Sequence, residues 1–198
     1  MWAYLQPDGG WDRPNAGLFA SADGDTSMLV DTLFDLELTA DILPALRQAT
    51  PAAERITTVV NTHANGDRCY GNALFAGAGI VASTASAGEM AELPASVLAE
   101  FMRAAPDMGD TGAFLLDIVG ADHFDGIELV APTRTFTGEL ELSIGDRPVR
   151  RRRHHPRPRR RRGVHRRHRL PRASIAFMFE VFGERGRCVC CAAEQWAQ

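Results

Sequence analysis

The sequence predicts an α/β fold, and three observations support this class. Apolar, β-branched segments alternate with segments of helical spacing over the first 150 residues. Of the 198 residues, 45% are hydrophobic, which is enough for one domain with a core. Glycine (18) and proline (11) occur at ordinary levels, which excludes a collagen-like or low-complexity chain. No run of 18 or more residues is apolar, so we expect no membrane-spanning helix.

The predicted strands of the first half are short and rich in apolar residues. Segments 16–22 and 27–32 flank the turn Asp23-Gly24-Asp25 and predict a hairpin. The β-branched segment 55–62 predicts a buried strand, and Gly79–Ser83 predicts another.

Helices are expected between and after these strands. Thr39 is a candidate cap for a helix that continues to Leu46, in which Pro44 is tolerated only in the first turn. A short helix is predicted at Tyr70–Phe75. Two longer helices follow. The segment 106–126 is expected to be irregular, with at most one further helical turn, and three strands come later. We place the helices at 84–93 and 94–105, the turn at 113–119, and the strands at 128–130, 134–137 and 139–144.

Charge divides the chain into two parts. Residues 1–146 contain 22 acidic residues and six arginines, whereas residues 147–198 contain three acidic residues and 16 arginines. The segment 150–172 holds 13 arginines, three prolines and four histidines, and only Val164 and Leu170 are sizeable apolar groups. Such a segment buries too little apolar surface to offset the entropy of ordering it. We therefore predict a domain over 1–149 and an arginine-rich, largely disordered tail over 150–198.

One segment carries the residue types of a metal site. The sequence Asn61-Thr-His-Ala-Asn-Gly-Asp-Arg-Cys-Tyr-Gly-Asn72 begins at the end of the predicted strand 55–62. A loop at the carboxyl end of a buried strand can bring imidazole and carboxylate groups onto one ion. His63 and Asp67 are the candidate ligands. The alternative is a loop histidine and a turn-forming aspartate without metal.

This segment resembles the metal-binding loop of the metallo-β-lactamase superfamily, where His-x-His-x-Asp-His follows a buried strand. The stretches NAGLFA (15–20) and MLVDTLFD (28–35) resemble the opening hairpin and the Val-Asp-Thr strand end of that family, and 139–146 resembles a later hairpin. The resemblance covers about residues 10–150. It implies an α/β fold that is an incomplete, truncated metallo-β-lactamase-like αββα sandwich, after which comes the basic tail that composition predicts to be disordered. It also implies a zinc-dependent hydrolase acting on a small-molecule substrate.

The resemblance assigns roles residue by residue. His63 takes the first histidine position, and Asp67 takes that of the aspartate, which would bind metal and orient the attacking hydroxide. Asn65 stands at the second histidine position and would offer a carbonyl oxygen as a weak third metal ligand. Arg68 stands at the last histidine position, and a guanidinium has no lone pair for zinc. A cation about 4 Å from a dication costs about 8 kcal/mol at an effective dielectric constant near 20.

The contexts of the further ligands implied by the resemblance do not occur in the sequence, and the four histidines of 150–172 lie among arginines and do not follow strands. These further ligands are a histidine after the later strands, an aspartate in a Thr-Gly-Asp segment, and a final histidine. The implied cofactor is zinc, one or two ions in the family, and a catalytic zinc site normally has three protein ligands. We therefore predict impaired or absent hydrolysis. Asp31 and Asp35 either support the site from behind the ligands or are exposed acids at a strand end.

The basic tail allows other interpretations. It favours non-specific binding of a polyanion such as nucleic acid through phosphate contacts, although it offers no interleaved aromatic residues for base stacking. Arginine runs are also typical of GC-rich DNA read in a wrong frame, and shifting 162–169 by one nucleotide permits a Thr-Gly-Asp sequence. An intact reading frame around the codon for Arg150 would contradict this frameshift hypothesis. A decayed remnant with neither function is the remaining alternative.

Cysteine spacing predicts a cytoplasmic protein with free thiols. Cys188, Cys190 and Cys191 lie within four residues, where most pairings are strained, and Cys69 stands alone. Their spacing is also unlike that of a structural zinc site. The first ten residues lack the basic and apolar regions of a secretory signal. We expect no membrane partner.

Overall fold

The computed structural model describes residues 1–5, 14–151, 179–181 and 187–188. The helices of these residues are α1 (Leu36–Ala49), α2 (Gly66–Cys69), α3 (Thr84–Glu92), α4 (Ala95–Ala104) and α5 (Gly109–Val119), with 3₁₀ turns at Pro51–Glu54, Tyr70–Phe75 and Ala105–Asp107. The strands are β1 (Trp2–Tyr4), β2 (Ala16–Ala20), β3 (Ser27–Val30), β4 (Ile56–Val60), β5 (Gly79–Ser83), β6 (Arg134–Phe136), β7 (Leu140–Ile144), β8 (Arg147–Arg151), β9 (Phe179–Val181) and β10 (Arg187–Cys188). The predicted α/β class is confirmed.

The strands form two sheets. One sheet has the order β10-β1-β2-β3-β4-β5-β6, and the other has the order β7-β8-β9. The predicted hairpin is present, because β2 and β3 pair antiparallel. From β3 to β6 neighbouring strands run parallel, with Val30 opposite Val60 and Val60 opposite Val81. The carboxyl ends of β3, β4 and β5 therefore meet at one edge of the larger sheet.

The larger sheet is covered on both faces. Val30, Val60 and Val81 point to one face, where they pack with Ile144 and Val149 of the smaller sheet. On β7 the apolar residues alternate with exposed polar ones, as the sequence predicts. The opposite face packs on the apolar side of α1 and its neighbours, in a cluster that includes Leu18, Leu29, Ile42, Leu46, Val59 and Ile80.

The start of α1 differs from the prediction. Asp35 is the cap, since its side chain accepts the Leu38 N–H at 2.7 Å. Thr39 was the predicted cap, but its hydroxyl accepts the Leu33 N–H at 3.0 Å and donates to the Asp35 carbonyl at 2.7 Å. Pro44 consequently lies in the helix interior and not in the first turn. It is exposed, so water can satisfy the carbonyl that its missing N–H leaves without a helical partner.

Two predictions for residues 106–130 were wrong. The segment 106–126 was expected to be irregular apart from a helical turn at 113–119. That turn is part of the longer, three-turn helix α5, whose first turn carries Asp110, a favourable charge at a helix N-terminus. Residues 128–130 form no strand, and the Val130 carbonyl accepts a hydrogen bond from Asn72 Nδ2 at 3.2 Å instead. Of the predicted tail, the structure describes only the backbone of residues 150–151 at the end of β8, of β9 and of β10. The other residues from 152 onwards lie outside the described part. Within the described residues no helix is long and apolar enough to span a membrane.

Candidate metal centre

The candidate ligands lie where the parallel strands end. Asp31 directly follows β3, and the loop with His63, Asn65 and Asp67 directly follows β4. The backbone joins the two segments, because the Asp31 N–H donates to the Val60 carbonyl at 2.9 Å. The loop is therefore placed by the pairing of β3 with β4.

Asp31 is bound from two sides by Thr62. Its Oδ1 accepts the Thr62 N–H and its Oδ2 accepts the Thr62 hydroxyl, both at 2.7 Å. The Thr62 Oγ1 also lies 2.8 Å from Nδ1 of His63, so a chain of hydrogen bonds links the carboxylate to the imidazole. Asp31 has a φ of 60°, in the left-handed region that aspartate tolerates better than most residues. Asp31 is thus a buried residue supporting the loop, and the alternative of an exposed acid is wrong.

Burial raises the pKa of Asp31 to about 6 from its usual 3.8. The positive charge of Arg68 and the hydrogen bonds from Thr62 oppose this rise, whereas the negative charge of Asp67 adds to it. Asp31 is therefore mostly ionised at neutral pH, and a buried carboxylate needs a compensating cation.

Arg68 supplies that cation. Its Nε lies 3.1 Å from Asp67 Oδ2, and one terminal nitrogen lies 3.7 Å from Asp31 Oδ2. The same nitrogen donates to the Asn15 carbonyl at 3.3 Å. The Arg68 side chain is only 28% exposed. The guanidinium thus points into the site and not into solvent, and it forms an ion pair with the Asp67 carboxylate.

Two buried amide side chains support the loop through hydrogen bonds. Asn61 and Asn72 are both buried and exchange two hydrogen bonds, of 3.1 and 2.9 Å. Asn61 Nδ2 also donates to the Arg68 carbonyl at 2.6 Å. Sequence reasoning gave no role to either amide or to Thr62. Their positions in the 61–72 segment, at the end of a buried strand, were the available signal.

Cys69 and Gly66 fix the short helix α2. The Cys69 thiol donates to the carbonyls of Ala64 and Asn65 at 3.5 and 3.4 Å, and burial raises its pKa to about 12. It is a free cysteine, as predicted. A Cβ on Gly66 would come within 2.3 Å of the Tyr70 ring, so the close approach requires glycine.

The predicted site residues His63, Asn65 and Asp67 share this loop. His63 and Asn65 are exposed, while Asp67 is half-buried and paired with Arg68. Asp35 is buried and engaged in capping α1 and in accepting the His123 N–H at 3.0 Å. Among the described residues, no three His, Cys, Asp or Glu side chains are grouped so that they could hold a metal ion. The described residues therefore show no group of three ligands of the kind that zinc usually takes.

Comparison with known families identifies the chain. The family model described as the metallo-beta-lactamase superfamily matches residues 9–160. The chain belongs to the metallo-beta-lactamase superfamily. This finding confirms the resemblance inferred from the 61–72 segment and the opening hairpin. A comparison with curated proteins found no match.

Solved metallo-beta-lactamases are among the similar structures. TMB-1 is 16% identical, with 74% of this chain and 52% of that chain covered and a TM-score of 0.41. The metallo-beta-lactamase from Pontibacter korlensis is 13% identical, with 69% of this chain and 54% of that chain covered and a TM-score of 0.38. The enzyme from Erythrobacter litoralis is 21% identical, covers 63% and 39%, and has a TM-score of 0.35. The chain spans about half the length of the first two proteins.

Proposed function

We propose that this chain is a metallo-β-lactamase-like protein, derived from zinc-dependent hydrolases of small molecules, whose own hydrolase activity is impaired or absent. The observation that carries the proposal is the ion pair between Arg68 and Asp67 at 3.1 Å. Asp67 is the residue that would bind zinc and orient the attacking hydroxide. A carboxylate engaged by a guanidinium is a poor ligand, because the metal would have to displace an existing cation.

The number of donors supports the same conclusion. A catalytic zinc site normally uses three protein ligands and leaves one position open for water. His63 and Asp67 supply two groups of the usual type, and Asn65 could add only a neutral carbonyl oxygen. The cytoplasmic location predicted from cysteine spacing is part of this proposal.

The test is zinc content and turnover of the purified full-length chain. We expect well under one zinc per chain after incubation with zinc and dialysis. We also expect no zinc-dependent hydrolysis of β-lactam, thioester, lactone or phosphodiester substrates above that of Asp67→Ala. Asp41→Ala, on the exposed side of α1, is the matched control for loss of one acid. Stoichiometric zinc together with turnover that Asp67→Ala abolishes would overturn the proposal.

A second candidate function is polyanion binding, favoured by the 13 arginines within residues 150–172. Binding through phosphate contacts weakens with salt, with a logarithmic slope of about −0.9 per neutralised phosphate. We expect the full-length chain to bind DNA with such a slope. Affinity that does not change with salt would exclude this function, and a chain with neither zinc turnover nor DNA binding would be the decayed remnant.

A further inference from the structure

Strand β7 lies at the outer edge of the smaller sheet. The order of this sheet is β7-β8-β9, so among the described residues β7 pairs with β8 on one side and with no strand on the other. Such an edge presents backbone N–H and C=O groups to which a further strand can add. Lysine, proline or a bulge commonly blocks an edge strand, but the sequence LELSI of β7 contains neither residue and pairs with β8 without a shift in register.

The turn between β7 and β8 determines which backbone groups face this edge. Ile144 pairs with Arg147 across a two-residue turn, and Gly145 has a φ of 54°, as the first position of a type II′ turn requires. The residues that flank such a turn exchange backbone hydrogen bonds, and bonded and non-bonded pairs then alternate along the strands. The even-numbered residues of β7 therefore bond to β8, whereas the backbone groups of Glu141 and Ser143 point outwards.

The sequence of β7 is self-complementary when two copies pair antiparallel about Leu142. The outward-pointing residues must then lie opposite each other, which places Glu141 of one copy opposite Ser143 of the other. On the other face Leu140 lies opposite Ile144, and Leu142 lies opposite its own counterpart, so apolar side chains meet apolar side chains. This pairing uses all five residues of the strand and places no two like charges directly opposite each other.

Neighbouring registers with the same hydrogen-bond pattern are less favourable. Pairing about Glu141 would place this carboxylate opposite its own counterpart, and like charges directly opposite each other destabilise a sheet. Pairing about Ser143 would require Gly145 to continue the strand, but its positive φ belongs to the turn. The sequence and the turn of this hairpin therefore favour the pairing about Leu142.

The apolar side of β7 is incompletely covered within one copy. Leu140 and Leu142 are only partly buried against the cluster that contains Ile144, and Phe136 of β6 is partly buried there too. Since β6 is the outer strand of the larger sheet, the exposed parts of these side chains lie at the borders of both sheets. A second β7 strand would cover apolar surface of the leucines, and burial of apolar surface is the main driving force for association.

We propose that β7 is a docking edge for a second copy of this chain, and that two copies join their smaller sheets through antiparallel pairing about Leu142. The contact is isologous, because each copy contributes the same strand. It goes beyond the proposed loss of hydrolysis and does not depend on it, since no residue of the 61–72 segment takes part. Only five residues from each copy pair, so we expect a monomer–dimer equilibrium and not a permanent dimer.

The test is sedimentation velocity of the full-length chain over a hundredfold range of concentration, in reducing buffer of high ionic strength. The reducing agent excludes disulfide-linked dimers, and the salt weakens association through the arginine-rich tail. We expect the sedimentation coefficient to rise with concentration from that of a monomer towards that of a dimer. Ser143→Pro removes the outward N–H in both copies and should weaken the dimer roughly tenfold. It keeps the bonding to β8, because Ser143 lies opposite Pro148 in a non-bonded pair.

Two charge variants at the same position test the register. Ser143→Glu brings a second carboxylate opposite Glu141 at two symmetric places and should weaken the dimer roughly fivefold. Ser143→Lys brings an ammonium group to the same two places and should strengthen the dimer by roughly the same factor. Thr111→Lys adds a lysine at an exposed position of α5 and is the matched control, so it should leave the dimer unchanged.

Three results would overturn the inference. The first is a chain that stays monomeric at every concentration, which would mean that another part of the same chain covers the edge. The second is a dimer that neither Ser143→Pro nor Ser143→Glu weakens, which would place the contact on another surface. The third is a dimer that Ser143→Lys weakens as much as Ser143→Glu does. Circular dichroism checks that each variant is folded, and the exposed substitution Ser143→Glu keeps the test decisive if Ser143→Pro unfolds the hairpin.

Discussion

Replacing Asp31 by asparagine should change how the stability of the protein depends on pH. The folded state raises the pKa of this carboxyl to about 6 from 3.8, so the folded chain holds the proton more tightly than the unfolded chain does. Stability contributed in this way is fully present below pH 3.8 and is lost as the pH rises through 6. Asparagine cannot titrate, so Asp31→Asn lacks this contribution to the pH dependence.

The size of the effect follows from the difference in pKa. A shift of about two units at about 1.4 kcal/mol each gives roughly 3 kcal/mol. The free energy of unfolding of the parent chain, measured relative to that of Asp31→Asn, should therefore fall by about 3 kcal/mol between pH 3.5 and pH 7. With a slope of about 2 kcal/mol per molar urea, this difference corresponds to about 1.5 M in the unfolding midpoint.

Urea unfolding followed by tryptophan fluorescence at four pH values measures this difference. Asp41→Asn, which removes an acid from the exposed side of α1, serves as the control for net charge. The reasoning would be refuted if the free energy of unfolding of the parent minus that of Asp31→Asn stayed constant over this range, or rose with pH. It would mean that the loop compensates the buried charge fully.

Two further predictions concern the packing around the loop. Gly71→Ala should lower the free energy of unfolding by about 1–3 kcal/mol. The reason is that the new Cβ would lie 2.1 Å from the Thr39 hydroxyl, which is buried and already makes two hydrogen bonds. Gly77→Ala is the control and should be close to neutral in urea unfolding, because no atom lies within 4 Å of its new Cβ. Cys69 should resist iodoacetamide at pH 8 in the folded chain, because burial raises the pKa of its thiol to about 12. Peptide mass mapping checks this, and labelling of Cys69 without urea at the rate of a free thiol would contradict it.

The sequence was informative where one local signal outweighed the others. The β-branched residues of β4 and the alternating residues of β7 predicted both strands, since burial of one or both faces leaves a direct pattern. The 61–72 segment likewise indicated the family, because its residue types and spacing are set by chemistry at a strand end. The bounds of β5 were predicted to the residue.

Other features depended on which partners the folded chain provides, some of them local and some far away in the chain. Threonine and aspartate both cap helices. Asp35 caps α1 because it accepts the Leu38 N–H, whereas the Thr39 hydroxyl accepts the Leu33 N–H. The direction of the Arg68 side chain depends on Asp31, which lies 37 positions earlier and becomes a neighbour only when β3 pairs with β4. Spacing within a motif cannot reveal such a contact.

The Asn61–Asn72 pair has a consequence for the order of folding. Asn72 also bonds to the Val130 carbonyl, 58 positions away, and that carbonyl reaches it only after the chain has passed through α3, α4 and α5 and returned towards β6. Closing so long an excursion is entropically costly and slows the formation of parallel strand pairs. The β2–β3 and β3–β4 pairs can therefore assemble first, and the contact between Asn72 and the Val130 carbonyl forms only after α3, α4 and α5 have been traversed.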